Sequence, residues 1–279
     1  MLSKSKSRLQ SGENSKNIKE VVKEKYGTIA KDVNKESGCG CNCGSSSKKI
    51  VDYTIMSDDY SKLDGYTKDA DLGLGCGLPT EFADLKNGNT VVDLGAGAGN
   101  DVFVARSIVG ETGKVIGIDF TDDMIDLANA NKDKLGFSNV DFRLGEIEDL
   151  PIDESSTDVV ISNCVLNLVP DKEKAFSEIY RVLKAGGHFC VSDIVIVGNL
   201  PEGLTKSAEM YAGCVAGALQ KEDYIGIIKQ TGFKNVEIKK TKTITIPDEI
   251  LAQYLNDEQL SEYNNSGIGI FSITVVGKK

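Results

Sequence analysis

Short runs of β-branched and apolar residues alternate with longer stretches in which apolar positions recur every three or four residues, and from Thr90 onward the alternation is regular. The apolar runs predict strands over 90–94, 114–119, 140–144, 158–162, 187–197, 234–246 and 268–277; the helical spacing predicts helices over 99–109, 122–135 and 171–184. That order implies a mainly parallel, doubly wound sheet. Upstream, Ile18, Val21, Val22, Lys25 and Ile29 recur at helical spacing with Ser15 placed to cap them, so a short amphipathic helix is expected. Residues 37–47, SGCGCNCGSSS, cannot bury a core and read as a loop. In DLGLGCGLPT at 71–80, Pro79 and Thr80 are suited to open a helix. The segment 201–232 reads as helical and longer than one crossover requires, which predicts a cap beside the carboxyl edge of the sheet. The last two strands are expected to pair as a long hairpin around a helix near 248–256. The expected organisation is an N-terminal helix and Cys-rich loop over 1–47, followed by one α/β domain over 48–279.

Charge narrows the partners. A formal net charge of -10 argues against nucleic acid, whose binding draws on Lys and Arg set against phosphates. Residues 1–25 carry seven Lys or Arg against three Glu, but interspersed with Ser, Asn and Gln they read as a solvated tail. No apolar stretch approaches bilayer length and the start lacks the apolar core of a secretory signal, so no membrane partner and a cytoplasmic location are expected. In a reducing compartment, clustered thiols among seven cysteines more often bind metals or do chemistry than staple a fold.

The strongest chemical signal is VVDLGAGAGN at 91–100. An apolar strand runs into Gly95, Gly97 and Gly99 and then directly into a helical pattern, so the backbone turns tightly and a ligand can approach it. Taken alone this is equally an ordinary Gly-rich turn. Asp119, twenty residues after Gly99 at the end of the next strand, is placed to accept hydrogen bonds from ribose hydroxyls. The G-x-G-x-G spacing, with Asp93 ahead of it, differs from the G-x-G-x-x-G of dinucleotide sites. Glu146 is a candidate for an adenine amino group, with Met124 and Ile147 as apolar walls; judged singly, each reads first as a loop or core residue.

Glycines, acids and strand order over about 90–200 resemble the Rossmann-like, class I S-adenosylmethionine methyltransferases. The resemblance implies a seven-stranded sheet with helices on both faces and its last strand antiparallel. It also implies S-adenosylmethionine across the ends of the first two strands, with Asp93 near the methionine amino group. The fold alone names no acceptor.

Three cysteines stand where an acceptor would sit: Cys76 in LGLGCGLP, Cys164 after the fourth strand in SNCVLNL, and Cys214 in YAGCVAGAL. Buried Cys is a common small core residue, and that is the first reading of each alone. Together with VVKEKYGTIA and the Cys-rich loop, these phrases resemble the arsenite methyltransferases over about 20–245. The resemblance implies that Cys76, Cys164 and Cys214 hold trivalent arsenic as thiolates, making about 48–88 and 201–232 the arsenic-binding elements. A soft, thiophilic ion on three thiolates keeps a lone pair on its open side, and methyl transfer to it then asks for orientation and exclusion of water rather than a general base. The single histidine, His188, at the start of a strand, reads as structural. Asn163, beside Cys164, is expected at the methionine end of the cofactor or at the metalloid. Cys39, Cys41 and Cys43 are expected to relay trivalent arsenic taken from a glutathione conjugate, or to pass electrons from a thiol reductant such as glutathione or thioredoxin. Many members of the family carry adjacent cysteines in this loop, whereas here they are spaced singly; zinc is the competing ligand, on a weak pattern. Cys190, in an apolar strand, reads as core. The alternatives are a C- or O-methyltransferase of a small organic molecule, which would not depend on these thiols, and a metalloid-binding protein that does not transfer methyl groups.

Overall fold

The computed structural model describes residues 19–32, 58–199, 217–245, 251–252, 255–265 and 268–279. A first helix, α1, covers 19–32 and buries Val22 and Ala30. After it come α2 (Pro79–Phe82), β1 (Thr90–Leu94), α3 (Asn100–Val109), β2 (Lys114–Asp119), α4 (Asp122–Leu135), β3 (Val140–Leu144), β4 (Thr157–Asn163), α5 (Lys172–Val182) and β5 (Leu183–Val197). The chain continues through β6 (Leu219–Gln220), α6 (Lys221–Gln230), β7 (Lys234–Ile244), α7 (Asp257–Asn265) and β8 (Gly269–Lys278). The sheet order is β3-β2-β1-β4-β5-β8-β7, with the two-residue β6 paired to β5 off this path. Strands β1 to β5 run parallel and β8 is antiparallel to both β5 and β7. This is the seven-stranded Rossmann-like sheet expected, with one short strand added.

The helices form because their ends are marked and one face of each is apolar. Asp171 caps α5 by accepting the Lys174 N–H at 2.9 Å, and Gly136 ends α4 in the left-handed region with its N–H returned to Lys132 and Asp133. On one face of the sheet Phe176 and Ile179 of α5 and Tyr224 and Ile228 of α6 pack against Val92, Val160 and Val191. On the other, Val102 and Phe103 of α3 and Met124 and Leu127 of α4 pack against Val91, Val115 and Ile161. Strands covered on both faces read as continuous apolar runs, which is why β1, β2 and β4 were legible. Truncating a ring such as Phe176, which meets Tyr224 edge-on at 5.6 Å, is expected to cost roughly 3–5 kcal/mol.

Two boundaries differ from expectation. β5 begins at Leu183 because Leu183 already pairs with Thr157 across an irregularity in the β4 ladder, and α5 therefore stops at Val182. Within 201–232, α6 lies in the helical layer against the sheet and buries Tyr224 and Ile228; residues 201–216, the first half of the expected cap, lie outside the described residues. In the connection between β7 and β8, Leu251 is helical within the expected 248–256, most of which lies outside the described residues, and a further helix, α7, covers Asp257–Asn265. Among the described residues no helix is long and apolar enough to cross a membrane.

Candidate active site

The strand order turns back on itself between β1 and β4, and a cavity opens there at the carboxyl ends of the strands, as open α/β sheets require. Its floor is the glycine turn. Gly97 has φ +51°, and a Cβ built on it meets no atom within 4 Å, so bare backbone faces open space. The Gly97 N–H donates to Asp119 Oδ2 at 3.0 Å and the Thr121 N–H to Oδ1 at 2.9 Å, which fixes the Asp119 carboxylate on the cavity wall. Gly95, Met124 and Ile147 also line the cavity. Gly99 does not: its Cβ would fall 2.9 Å from Phe103 and 2.8 Å from Phe142, so its glycine serves the packing of α3 on β3 rather than the ligand.

Helix α1 closes one side through Lys19, Val22 and Tyr26. Lys19 Nζ lies 2.8 Å from Glu146 and 3.1 Å from Glu148, so the expected adenine-binding carboxylate lines the cavity while paired to this helix. Lys23 and Lys31 pair with Asp122 and Asp123 at the start of α4.

Three buried carboxylates, Asp93, Asp101 and Asp119, face the same cavity. Burial raises all three. The charges of Asp101 and Asp119 add to burial at Asp93 and hold it well above the ordinary range. At Asp101 burial prevails over the donors Asn163 and Tyr60 and pushes the carboxyl up to about 6. At Asp119 the Thr121 and Gly97 N–H groups oppose burial without cancelling it. Such a cluster is costly without a cation and suits a ligand that carries one.

Asn163 joins this acidic end to the cysteine end. Its Nδ2 donates to Asp101 Oδ2 at 3.1 Å, to the Gly77 carbonyl at 2.9 Å and to the Tyr60 hydroxyl, while its Oδ1 accepts the Cys76 N–H at 3.0 Å. Tyr60 in turn donates to Asp101 at 2.9 Å. The glycines flanking Cys76 make the approach possible: a Cβ at Gly75 would fall 2.6 Å from Asn163 Nδ2, and one at Gly77 2.5 Å from Ser192 Oγ.

Cys164 is 3 % exposed, lines the cavity and is held at φ +61°, a conformation uncommon outside glycine, with its N–H donated to Ser192 O at 2.7 Å. Cys76 is fully buried beside cavity-lining Gly75, and both sulfurs belong to one apolar cluster with Leu168, Ile194 and Ile270 under the carboxyl edge. Cys214, Cys39, Cys41 and Cys43 lie outside the described residues. Among the described residues no three His, Cys, Asp or Glu side chains form a metal-binding group. Cys190 is fully buried in β5, where burial pushes its thiol up to about 12, and His188 Nε2 stands 2.6 Å from the Ala83 carbonyl. Both have the core or structural surroundings read from the sequence.

Tyr60, Asp101 and Lys19 were missed. Asp101 had a signal, since it follows the glycine turn at the first turn of a helix; Tyr60 and Lys19 reach the cavity only through tertiary packing.

A parallel sheet closed by an antiparallel β8, a glycine turn after β1, an acid ending β2 and a cavity across both strand ends define a Rossmann-like class I methyltransferase. Residues 85–232 match the family described as a methyltransferase domain. The chain is 39% identical to an arsenite methyltransferase of Halobacterium salinarum over 257 residues, covering 88% of this chain and 64% of that protein. It is 38% identical to an arsenite methyltransferase of Mus musculus over 192 residues, covering 66% of this chain and 50% of the other. Its fold is similar to the crystal structure of an arsenic(III) S-adenosylmethionine methyltransferase from Chlamydomonas reinhardtii, with TM-score 0.62 and 36% identity over 74% of this chain and 67% of that one. The chain belongs to the methyltransferase-domain family and, within it, to the arsenite methyltransferases. It spans between half and two thirds of the length of these curated relatives.

Proposed function

We propose that this protein transfers methyl groups from S-adenosylmethionine to trivalent arsenic held by cysteine thiolates, giving methylated arsenicals and S-adenosylhomocysteine. The observation that carries the reading is the meeting, at one cavity, of a buried acid cluster with Cys164 and the Cys76 loop, joined through Asn163.

The residues present fit the cofactor. Bare backbone at Gly97 leaves room for a ligand that a side chain there would fill, and Asp93, Asp101 and Asp119 supply negative charge for an ammonium and a sulfonium. Gly95 and Gly97 would cradle it, Asp119 would take the ribose, Asp93 the methionine amino group with Asn163 beside it, Glu146 the adenine amino group, and Met124 and Ile147 the ring. Bound there, S-adenosylmethionine supplies an electrophilic methyl group on a sulfonium. Lys19 and Tyr26 of α1 help exclude water from that side.

On the acceptor side Cys76, Cys164 and Cys214 would hold arsenic with its lone pair toward the cavity, Cys214 being supplied by the 201–232 element. Methylation oxidises arsenic by two electrons, which two thiols return as they join in a disulfide, supplied by glutathione or thioredoxin. Cys39, Cys41 and Cys43, in the 1–47 extension that precedes the 48–279 domain, would deliver arsenic or carry those electrons. Such thiol chemistry fits a reducing cytoplasm.

The test is anaerobic incubation of the full chain with arsenite, S-adenosylmethionine and glutathione. Formation of S-adenosylhomocysteine together with a methylarsenical, abolished by Cys164→Ser, is the expected result. Cofactor turnover that persists in Cys164→Ser would instead point to an organic acceptor, and arsenite binding without S-adenosylhomocysteine to a sequestering protein.

A further inference from the structure

Behind the cavity wall lies a buried polar group that none of these roles uses. Lys172, the first residue of α5, is 8% exposed, and its ammonium donates to the Asn167 carbonyl at 3.0 Å and the Val169 carbonyl at 2.9 Å. Asp193 of β5 is 1% exposed; its carboxylate accepts the Tyr224 hydroxyl at 3.0 Å, the Ile194 N–H at 3.0 Å and the Asn167 N–H. Lys172 and Asp193 attract each other, and Tyr224 is close enough to Cys76 and Cys164 to feel their charge.

Each member breaks a local preference. A cation at a helix N-terminus opposes the helix dipole, and a buried charged or titratable group pays a desolvation penalty that well-packed apolar residues would avoid. Such violations gather where function demands them. What the pair holds is a short turn, Leu166–Leu168, that follows Cys164 and Val165 and precedes Val169. Cys164, Val165, Leu168 and Val169 all line the cavity, and Cys164 starts the turn in the left-handed region.

We infer that Lys172 and Asp193 are positioning residues for the acceptor side of the site: gripping Asn167 by its N–H and its carbonyl, they hold the 164–169 turn so that the Cys164 sulfur stays on the cavity wall, with Tyr224 anchoring the carboxylate. The inference deepens the arsenic reading and rests on it for its consequence, but the placement of Cys164 can be measured without arsenic.

The experiment compares the full-length wild type with Lys172→Met, Asp193→Asn and Tyr224→Phe. Two readouts are taken: site-resolved maleimide labelling of Cys164 by mass spectrometry, and calorimetric affinity for arsenite and for S-adenosylhomocysteine. A loosened turn should speed Cys164 labelling by at least about fivefold and weaken arsenite binding by about tenfold or more, with S-adenosylhomocysteine affinity held within about twofold. Lys172→Arg, which keeps the charge, should recover part of both losses. Labelling at the wild-type rate in variants that fold overturns the proposal, as does an equal fall in both affinities, which a general loss of structure would produce. Should the charge variants not fold, Tyr224→Phe decides, since it keeps the ring packed on Phe176 and removes only the hydroxyl; unchanged labelling there overturns the proposal. If the wild type fails to bind arsenite while labelling behaves as expected, the arsenic reading falls and the positioning role stands.

Discussion

Asn163 and Cys76, 87 positions apart, are joined by a hydrogen bond from the Cys76 N–H to Asn163 Oδ1 at 3.0 Å, and the same amide reaches Asp101 with its nitrogen. One side chain thus touches both the acid cluster that suits a cationic cofactor and the loop that carries a thiol. Disturbing either end is therefore expected to be felt at the other, with a physical path of two hydrogen bonds.

Asn163→Ala removes the acceptor for Cys76 and a donor to Asp101, and leaves both groups buried. The Cys76 N–H loses this partner while Asp101 keeps the Tyr60 hydroxyl; a buried group left short of a partner costs roughly 1–3 kcal/mol, so affinity for S-adenosylmethionine and for arsenite should each fall by about fivefold to 150-fold. Asn163→Asp should be worse for the cofactor-free protein, because it adds a carboxylate beside one already crowded by burial. Calorimetric titration of each ligand checks both, and a loss confined to one ligand would show that the two ends are not coupled through this amide.

How much of this was readable beforehand depended on whether a residue's role is local. The glycine turn, Asp93 and Asp119 sit on consecutive β–α units, so spacing alone placed them, and continuous apolar runs marked strands covered on both faces. At Gly99 the sequence does not separate the two roles, because a glycine needed for packing against Phe103 and Phe142 looks the same as one needed by a ligand. Tyr60, Lys19, Lys172 and Asp193 take their meaning from partners more than 20 residues away or from burial that no periodicity announces. Asp193 was the most legible of them, a lone acid inside the apolar run CVSDIVIV.

The buried acids also fix a direction of pH dependence. Burial pushes Asp101 up to about 6 and Asp193 up to about 7, against an ordinary value of 3.8. A folded-state pKa above the unfolded one means that the native state holds the extra proton, so stability is highest while these groups are protonated and declines as pH rises through the window from about 4 to about 7. Glu178, lowered chiefly by its Arg181 hydrogen bond, acts in the opposite sense, but its contribution is already complete above the ordinary carboxylate range. The melting temperature of the ligand-free protein should therefore drop by several degrees between about pH 5 and pH 7.5. Asp101→Asn should flatten that slope, and saturating S-adenosylmethionine should reduce it by giving the cluster its cation. A melting temperature that climbs steadily over this range would contradict the assignment.

Two glycines of one turn offer the sharpest separation of ligand contact from packing. Gly97 has φ +51° and open space where a Cβ would stand, so Gly97→Ala pays only the left-handed strain of roughly 1–2 kcal/mol while placing a methyl group on the cavity floor. Gly99, at φ +99°, would set its Cβ into Phe103 and Phe142, adding overpacking of roughly 1–3 kcal/mol to the strain without touching the cavity. Gly97→Ala should therefore lose cofactor affinity by about tenfold or more for a small change in melting temperature, and Gly99→Ala should lose more stability with weaker effect on affinity where it remains folded. Thermal melts beside S-adenosylhomocysteine titrations distinguish the two. If both variants lose affinity and stability in the same proportion, the turn acts as one structural unit and ligand contact is not separable from packing within it.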